Sequence, residues 1–216
     1  MTRLITAAVT ALLFGVSAAS AATFTDRSLF DAAAGPGLAL ESFESVPLSG
    51  NTASGGLPSA DFGDFFVSAT RPAVKVIDTP FFFAQNTTAG GKNFLYLDSD
   101  IGFTGFIMTL AFDAPVLSFG FDYSGLGRNG DESTIFINGE TMILPKATDA
   151  PAFFGFTSEN GVSAFSINTN NNSAFSIDEL AYGGGETATP VPLPAALPML
   201  LVAVAGFGLM KRRKAA

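Results

Sequence analysis

Short runs of phenylalanine, valine, isoleucine and threonine, broken about every ten residues by glycine, asparagine, aspartate or proline, predict an all-β fold: an antiparallel β-sandwich. Two local patterns support this. Val116 to Tyr123 alternates so that Phe119, Phe121 and Tyr123 share one face. Asn138-Gly139 separates two β-prone runs, and that dipeptide suits a type I′ hairpin turn, which needs positive φ at both central residues.

Taken in order, the chain opens with Met1-Thr2-Arg3 and an uncharged run from Leu4 to Val16, followed by small residues through Ala22. A positive charge, a short apolar core and small residues in that order are the signature of a secretion signal, and Ala19-Ser20-Ala21 predicts cleavage after Ala21. Residues 24–35 then predict one short helix, with Thr25 or Asp26 as N-cap and Gly35 to end it. From Ser42 the texture is β: strands are expected over Phe62–Thr70, Val74–Asp78, Asn93–Asp98, Gly105–Phe112 and Val116–Tyr123. Further strands are expected over Ser133–Ile137, Thr141–Leu144, Ala152–Thr157, Val162–Asn168 and Ala174–Tyr182. Glu159-Asn160-Gly161 reads as a turn and Asn170-Asn171-Asn172 as a loop tip. The β-domain is thus placed at 22–182, with a Gly/Thr/Pro linker at 183–190.

The last segment runs uncharged from Leu193 to Met210, 18 residues, and ends in Lys211-Arg212-Arg213-Lys214. As a helix it would reach roughly 27 Å, enough for a thin hydrocarbon core, so a C-terminal transmembrane helix is expected. The basic tail would act as a stop-transfer signal and stay in the cytoplasm, which places residues 22–190 outside.

The chain has neither cysteine nor histidine, which excludes a disulfide framework, a Ser-His-Asp triad, a thiol nucleophile and the usual zinc, copper or haem sites. The exported part carries 19 acids and 6 bases, a net charge of −13, so nucleic acid is not an expected partner. The 23 phenylalanines are expected to fill the core. With no tryptophan and only Tyr96, Tyr123 and Tyr182, the sequence offers few polar-tipped aromatic platforms on which a sugar could stack, and phenylalanine lacks the polar tip, so the residues give little direct support to a lectin-like groove.

Val191-Pro192-Leu193-Pro194-Ala195, the apolar run and the four basic residues together resemble the VPLPA variant of the PEP-CTERM sorting signal of Gram-negative bacteria. That resemblance covers about the last 26 residues. It implies signal peptidase and an exosortase as processing partners, an inner-membrane anchor before processing, and export to the cell surface or extracellular matrix in company with polysaccharide or biofilm. Ser42-Phe43-Glu44 and Phe175-Ser176-Ile177-Asp178-Glu179-Leu180 resemble the early and late strands of jelly-roll domains of the galactose-binding-like and carbohydrate-binding-module group. The resemblance implies a structural calcium ion held by Glu44 and Asp178; the alternative is that both carboxylates accept backbone hydrogen bonds near a strand edge. Asp98-Ser99-Asp100 and Asp131-Glu132 read as solvated loop charges.

The expected function is a non-enzymatic structural or adhesive role at the cell surface. A carbohydrate-binding module and a carboxylate-dependent glycan hydrolase or lyase are the alternatives.

Overall fold

The computed structural model describes residues 21–49, 56–71, 74–81, 83–98, 105–127, 130, 132–171 and 174–184. The expected secretion signal up to Ser20, the stretch read as a sorting motif and the apolar C-terminal run lie outside these residues; among the described ones, no helix is long and apolar enough to cross a membrane. The elements are β1 (Ala22–Phe24), α1 (Arg27–Ala34), β2 (Ala39–Glu41), β3 (Ser59–Asp61), β4 (Phe65–Ala69), β5 (Val74–Ile77) and β6 (Phe94–Asp98). They continue with β7 (Ile107–Ser124), β8 (Ser133–Ile137), β9 (Glu140–Leu144), β10 (Ala152–Asn168) and β11 (Ala174–Gly183). Every strand pairing is antiparallel, in the order β5-β6-β11-β7-β10-β8-β9, with β1 on β10, β2 on β11, and β3 on β4, which joins β7.

Two pairs of expected strands prove to be single long ones. Gly105–Phe112 and Val116–Tyr123 merge into β7, and the turn expected at Glu159-Asn160-Gly161 is an irregularity within β10. Pro115 does not end β7 because it lies where the ladder to β10 shifts register, and there its missing N–H costs no hydrogen bond. On β10 the shift falls between Thr157 and Ala164 and includes Gly161 at φ 72°.

The shift bends the β7–β10 pair back on itself. Phe165 pairs across the ladder with Leu110, yet its ring stacks on Phe119 at 4.5 Å and 2°. A straight strand would carry Phe119 about 30 Å from Leu110. The two halves of the ribbon therefore face each other, and each carries its own set of neighbours. The first sheet holds β5, β6, β11 with β2 beside it, the C-terminal half of β7, the N-terminal half of β10, and β1; the second holds β3, β4, the other halves, β8 and β9. Between them lie Phe65, Leu110, Phe121, Tyr123, Phe154 and Phe175, all buried. Thirteen phenylalanines belong to the buried set, as the composition predicts.

The outer face of the first sheet is covered twice. Helix α1 begins where expected: Asp26 accepts from Leu29 N at 3.0 Å and Gly35 closes the last turn at φ 75°. It seats Phe30 over Gly120 and Gly155, which pair across β7 and β10. A Cβ on either glycine would meet Phe30 or Phe153 at 2.7–3.1 Å, so only glycine admits the ring this close. Beside it, the loop from Asp78 to Asn93 packs Phe81 and Ala84 on Tyr96, and Gln85 N donates to Ser124 Oγ at 3.0 Å and Ser176 Oγ at 3.2 Å. No such cover lies over the second sheet among the described residues.

The Asn138-Gly139 turn has φ 49° and 92°, as a type I′ turn requires. Strands β1, β2 and β3 have no counterpart among the expected strands; each is three residues long, too short to show a period. The first and last strands end in one row, Ala22–Thr157–Ser118–Gly183, next to the bend and about 14 Å from end to end.

Replacing Phe119 by alanine removes a ring that touches Phe112, Phe121, Phe154, Phe156 and Phe165. The expected cost is about 3–5 kcal/mol of unfolding free energy, read from the urea midpoint. A midpoint unchanged from wild type would contradict the packing described.

Candidate functional site

The two carboxylates singled out in the sequence converge on one loop. Asp178 stands on β11 next to a bulge, where the register to β7 shifts and Glu179 takes φ 49°. It is buried, and Oδ2 accepts from Thr87 N at 2.7 Å and Thr88 N at 3.0 Å while Oδ1 accepts from Glu179 N at 2.9 Å. Both threonine hydroxyls add contacts at 3.2 Å. Glu44 follows Phe43, itself at φ 60°, and its Oε1 accepts from Lys92 N at 2.7 Å, Asn93 N at 3.0 Å and Asn86 Nδ2 at 3.1 Å. A Cβ on Gly91 would fall 2.2 Å from that oxygen, so the loop reaches the carboxylate because residue 91 is glycine.

This is a clasp: two anions holding residues 86–93 through N–H and O–H donors. Calcium needs oxygen acceptors turned toward it, and the groups that hydrogen-bond to the two carboxylates are donors. As arranged, the set does not fit the ion, and among the described residues no group of three acidic side chains gathers elsewhere.

A neighbouring acid escaped the sequence reading. Asp122 pairs directly with Asp178 across β7 and β11, a like-charge pair that costs stability. Arg27 lies 3.7 Å from Asp122, donates to Glu179 O at 2.6 Å, and stacks its guanidinium 4.7 Å above the Phe153 ring. Thr87, Pro145 and Pro151 complete a cleft of about 480 Å³. Burial pushes the carboxyls of both Asp122 and Asp178 above the ordinary value of 3.8; Arg27 opposes the shift at Asp122, and the Thr87, Glu179 and Thr88 amides oppose it at Asp178. Nothing in the Val116–Tyr123 pattern marked Asp122, because an outward aspartate in an alternating strand looks like a solvated one.

A larger cleft, about 730 Å³, opens at the end of the long strands farthest from the bend. Its walls are Thr70 and Arg71 after β4, and Asn168, Asn170 and Asn171 at the end of β10, with Phe106 and Ile107 between them. Thr169, buried behind the wall, accepts from Phe106 N at 2.9 Å. The turn is tight: Asn170 takes φ 50°, its N–H donates to Asn168 Oδ1 at 3.0 Å, and its side-chain amide donates to Glu132 O. A Cβ on Gly105 would strike the Asn170 carbonyl, so glycine there lets the two walls meet. No acid is among the lining residues; amide, hydroxyl and guanidinium side chains line the cleft beside the exposed Ile107, and Phe106 is buried beneath them. The sequence showed Asn170-Asn171 as a loop tip, but the partner wall at Thr70-Arg71 is a hundred residues away. Of the two other acidic pairs, Asp98 accepts from the Tyr96 hydroxyl at 3.1 Å, whereas Asp100 and Asp131 lie outside the described residues.

No protein-family model matches the chain, and no curated protein sequence matches it. Among solved structures, it resembles the carbohydrate-binding module TmCBM61 in complex with β-1,4-galactotriose, with a TM-score of 0.35 and 14% identity over 58% of this chain and 91% of the other. A family 11 carbohydrate-binding module from Clostridium thermocellum, in complex with a mixed-linked tetrasaccharide, gives 0.34 and 12% over 58% and 94%. The catalytic domain of a GH87 α-1,3-glucanase in complex with nigerose gives 0.33 and 14% over 61% of this chain and 30% of that one.

Because Asp122 and Asp178 ionise above the ordinary value in the folded chain, the folded state binds more protons than the unfolded state between the two values. Stability therefore falls as pH rises through the folded value and recovers as pH drops toward 3.8. The contribution of these two groups to the melting temperature is expected to rise as pH is lowered toward 3.8, and Asp122→Asn should make that rise shallower. Parallel curves for wild type and variant would count against the account.

Proposed function

We propose that the chain is an exported cell-surface or matrix protein whose β-domain binds extracellular polysaccharide without cleaving it. The observation that carries the binding is the acid-free, mainly polar cleft at Thr70-Arg71 and Asn168–Asn171: asparagine amides, a threonine hydroxyl and a guanidinium beside the exposed Ile107 are groups of the kind that hydrogen-bond polyols. Hydrolysis of a glycosidic bond by carboxylates requires a facing pair, and that cleft offers none among its lining residues.

The export half of the proposal comes from the chain ends. A signal cleaved after Ala21 and a tail with Val191-Pro192-Leu193-Pro194-Ala195, an apolar run and Lys211-Arg212-Arg213-Lys214 suit signal peptidase followed by an exosortase. The fold agrees with such a tether, since Ala22 and Gly183 leave from the bend while the cleft opens at the opposite end. A domain held at its bend presents the cleft away from its anchor.

The full chain is expected to be retained by at least one soluble polysaccharide in affinity electrophoresis, to release no reducing sugar from it, and to lose about tenfold in affinity on Asn168→Ala. Retention by none of a broad panel would defeat the binding half. For the export half, mass determination of the protein recovered from the envelope is expected to place the mature start at Ala22 and a new end near Val191–Ala195; recovery of the intact polypeptide from the cytosol would defeat it.

A further inference from the structure

The cleft does not stop at its own walls. Thr70, Ile107 and Asn168 belong to the last row of the outward face of the second sheet, the face that neither α1 nor the clasped loop covers. The next row inward reads Ser59, Ser68, Thr109, Ser166, Phe136 and Thr141 across six strands, about 24 Å from edge to edge. Thr109 and Ser166 share a hydrogen bond at 2.8 Å, so their oxygens stand ready at the surface between two strands. Phe136 is 50% exposed on one side of this row, and Phe66 is 40% exposed on β4 on the other.

Charge decides what such a surface suits. The exported chain carries 19 acids and 6 bases, yet the rows through Ile107 and Thr109 on β4, β7, β10, β8 and β9 hold no charged residue; the charges on this face stand at its rim, Asp61 on the edge strand β3 and Asp113 where β7 reaches the bend. A solvated β-face on an acidic protein ordinarily takes its share of charge, and a wide face without it, carrying exposed apolar rings, marks an interaction surface. The partner must tolerate an acidic surround, which disfavours polyanions, and must supply hydroxyls to Ser and Thr and a non-polar flank to two phenyl rings.

From this we infer that the uncovered face of the second sheet is a platform for an extended, uncharged polysaccharide chain, entering through the asparagine cleft and lying across the strands between Phe136 and Phe66. The inference rests on the polysaccharide-binding reading above and narrows it in two ways: the ligand is neutral, and it is a chain several sugars long.

The test is affinity electrophoresis of the full chain on galactan, xyloglucan and dextran as neutral polymers and alginate as the anionic one, with galactose and short galactan oligosaccharides in the cleft-sized range. Ser166→Asp puts a charge in the middle of the platform and Phe136→Ser removes an exposed ring; near-UV circular dichroism and melting temperature confirm that both fold. Expected is retention by a neutral polymer but not alginate, a loss of about tenfold with either platform variant, and unchanged affinity of both for the short oligosaccharides. If the platform variants match wild type on the polymer while Asn168→Ala weakens it, the platform is wrong and the cleft stands. Retention by alginate as strong as by any neutral polymer overturns the neutral class, and retention by no polymer removes both readings. A wild-type chain that sediments as a dimer and becomes monomeric in the platform variants, with glycan affinity unaltered, would assign the face to a second copy of the chain instead.

Discussion

The bend in the β7–β10 ribbon is the constraint on which the rest of the molecule depends. Two long strands paired along most of their length would make a flat, two-sided sheet with a phenylalanine face and nothing to cover it. The register shift around Pro115 and Gly161 folds that ribbon over, so that Phe119 from one half meets Phe165 from the other, and the remaining strands attach on either side of a core already closed. Burial of aromatic area supplies the driving force, and the bulge supplies the geometry.

Once closed, the two outer faces follow different physics. The first sheet keeps small residues outward at Gly120, Gly155, Ser124 and Ser176, and this lets α1 and the loop around Gln85 settle directly on the backbone. Part of the electrostatic cost of setting Asp178 beside Asp122 is offset by the amides that Asp178 collects from that loop, so Asp178 ties the covering layer to the sheet. The second sheet has hydroxyls and a few large apolar side chains outward, and remains open. Cover on one side and exposure on the other thus divide the domain into a covered sheet and an open one, with Ala22 and Gly183 both next to the bend.

Much of the β-character was legible because it depends on near neighbours in the chain. Asn138-Gly139 could be read as a turn from two residues, and α1 from Asp26 to Gly35, since caps and turns are satisfied within a few positions. The merging of strands at Pro115 and Gly161 was not legible, because a proline and a glycine in sequence look the same at a turn and at a bulge; the partner strand decides. Glu44 and Asp178 hold the same loop at two places, but their partners could not be read: the donors come from Asn86 to Asn93, a segment with no pattern of its own.

By itself the sequence determined the fold class, the acidic and cysteine-free character of the chain, the absence of histidine chemistry, and the local turns and caps, because composition and short-range periodicity act without reference to distant residues. The tertiary structure alone decided which aspartates are buried together, which glycines carry an aromatic ring against the backbone, and that Thr70-Arg71 and Asn168–Asn171 enclose one cleft. Those are pairings between segments up to about a hundred residues apart, set by strand register, and a register shift of one position would have turned each side chain to the opposite face.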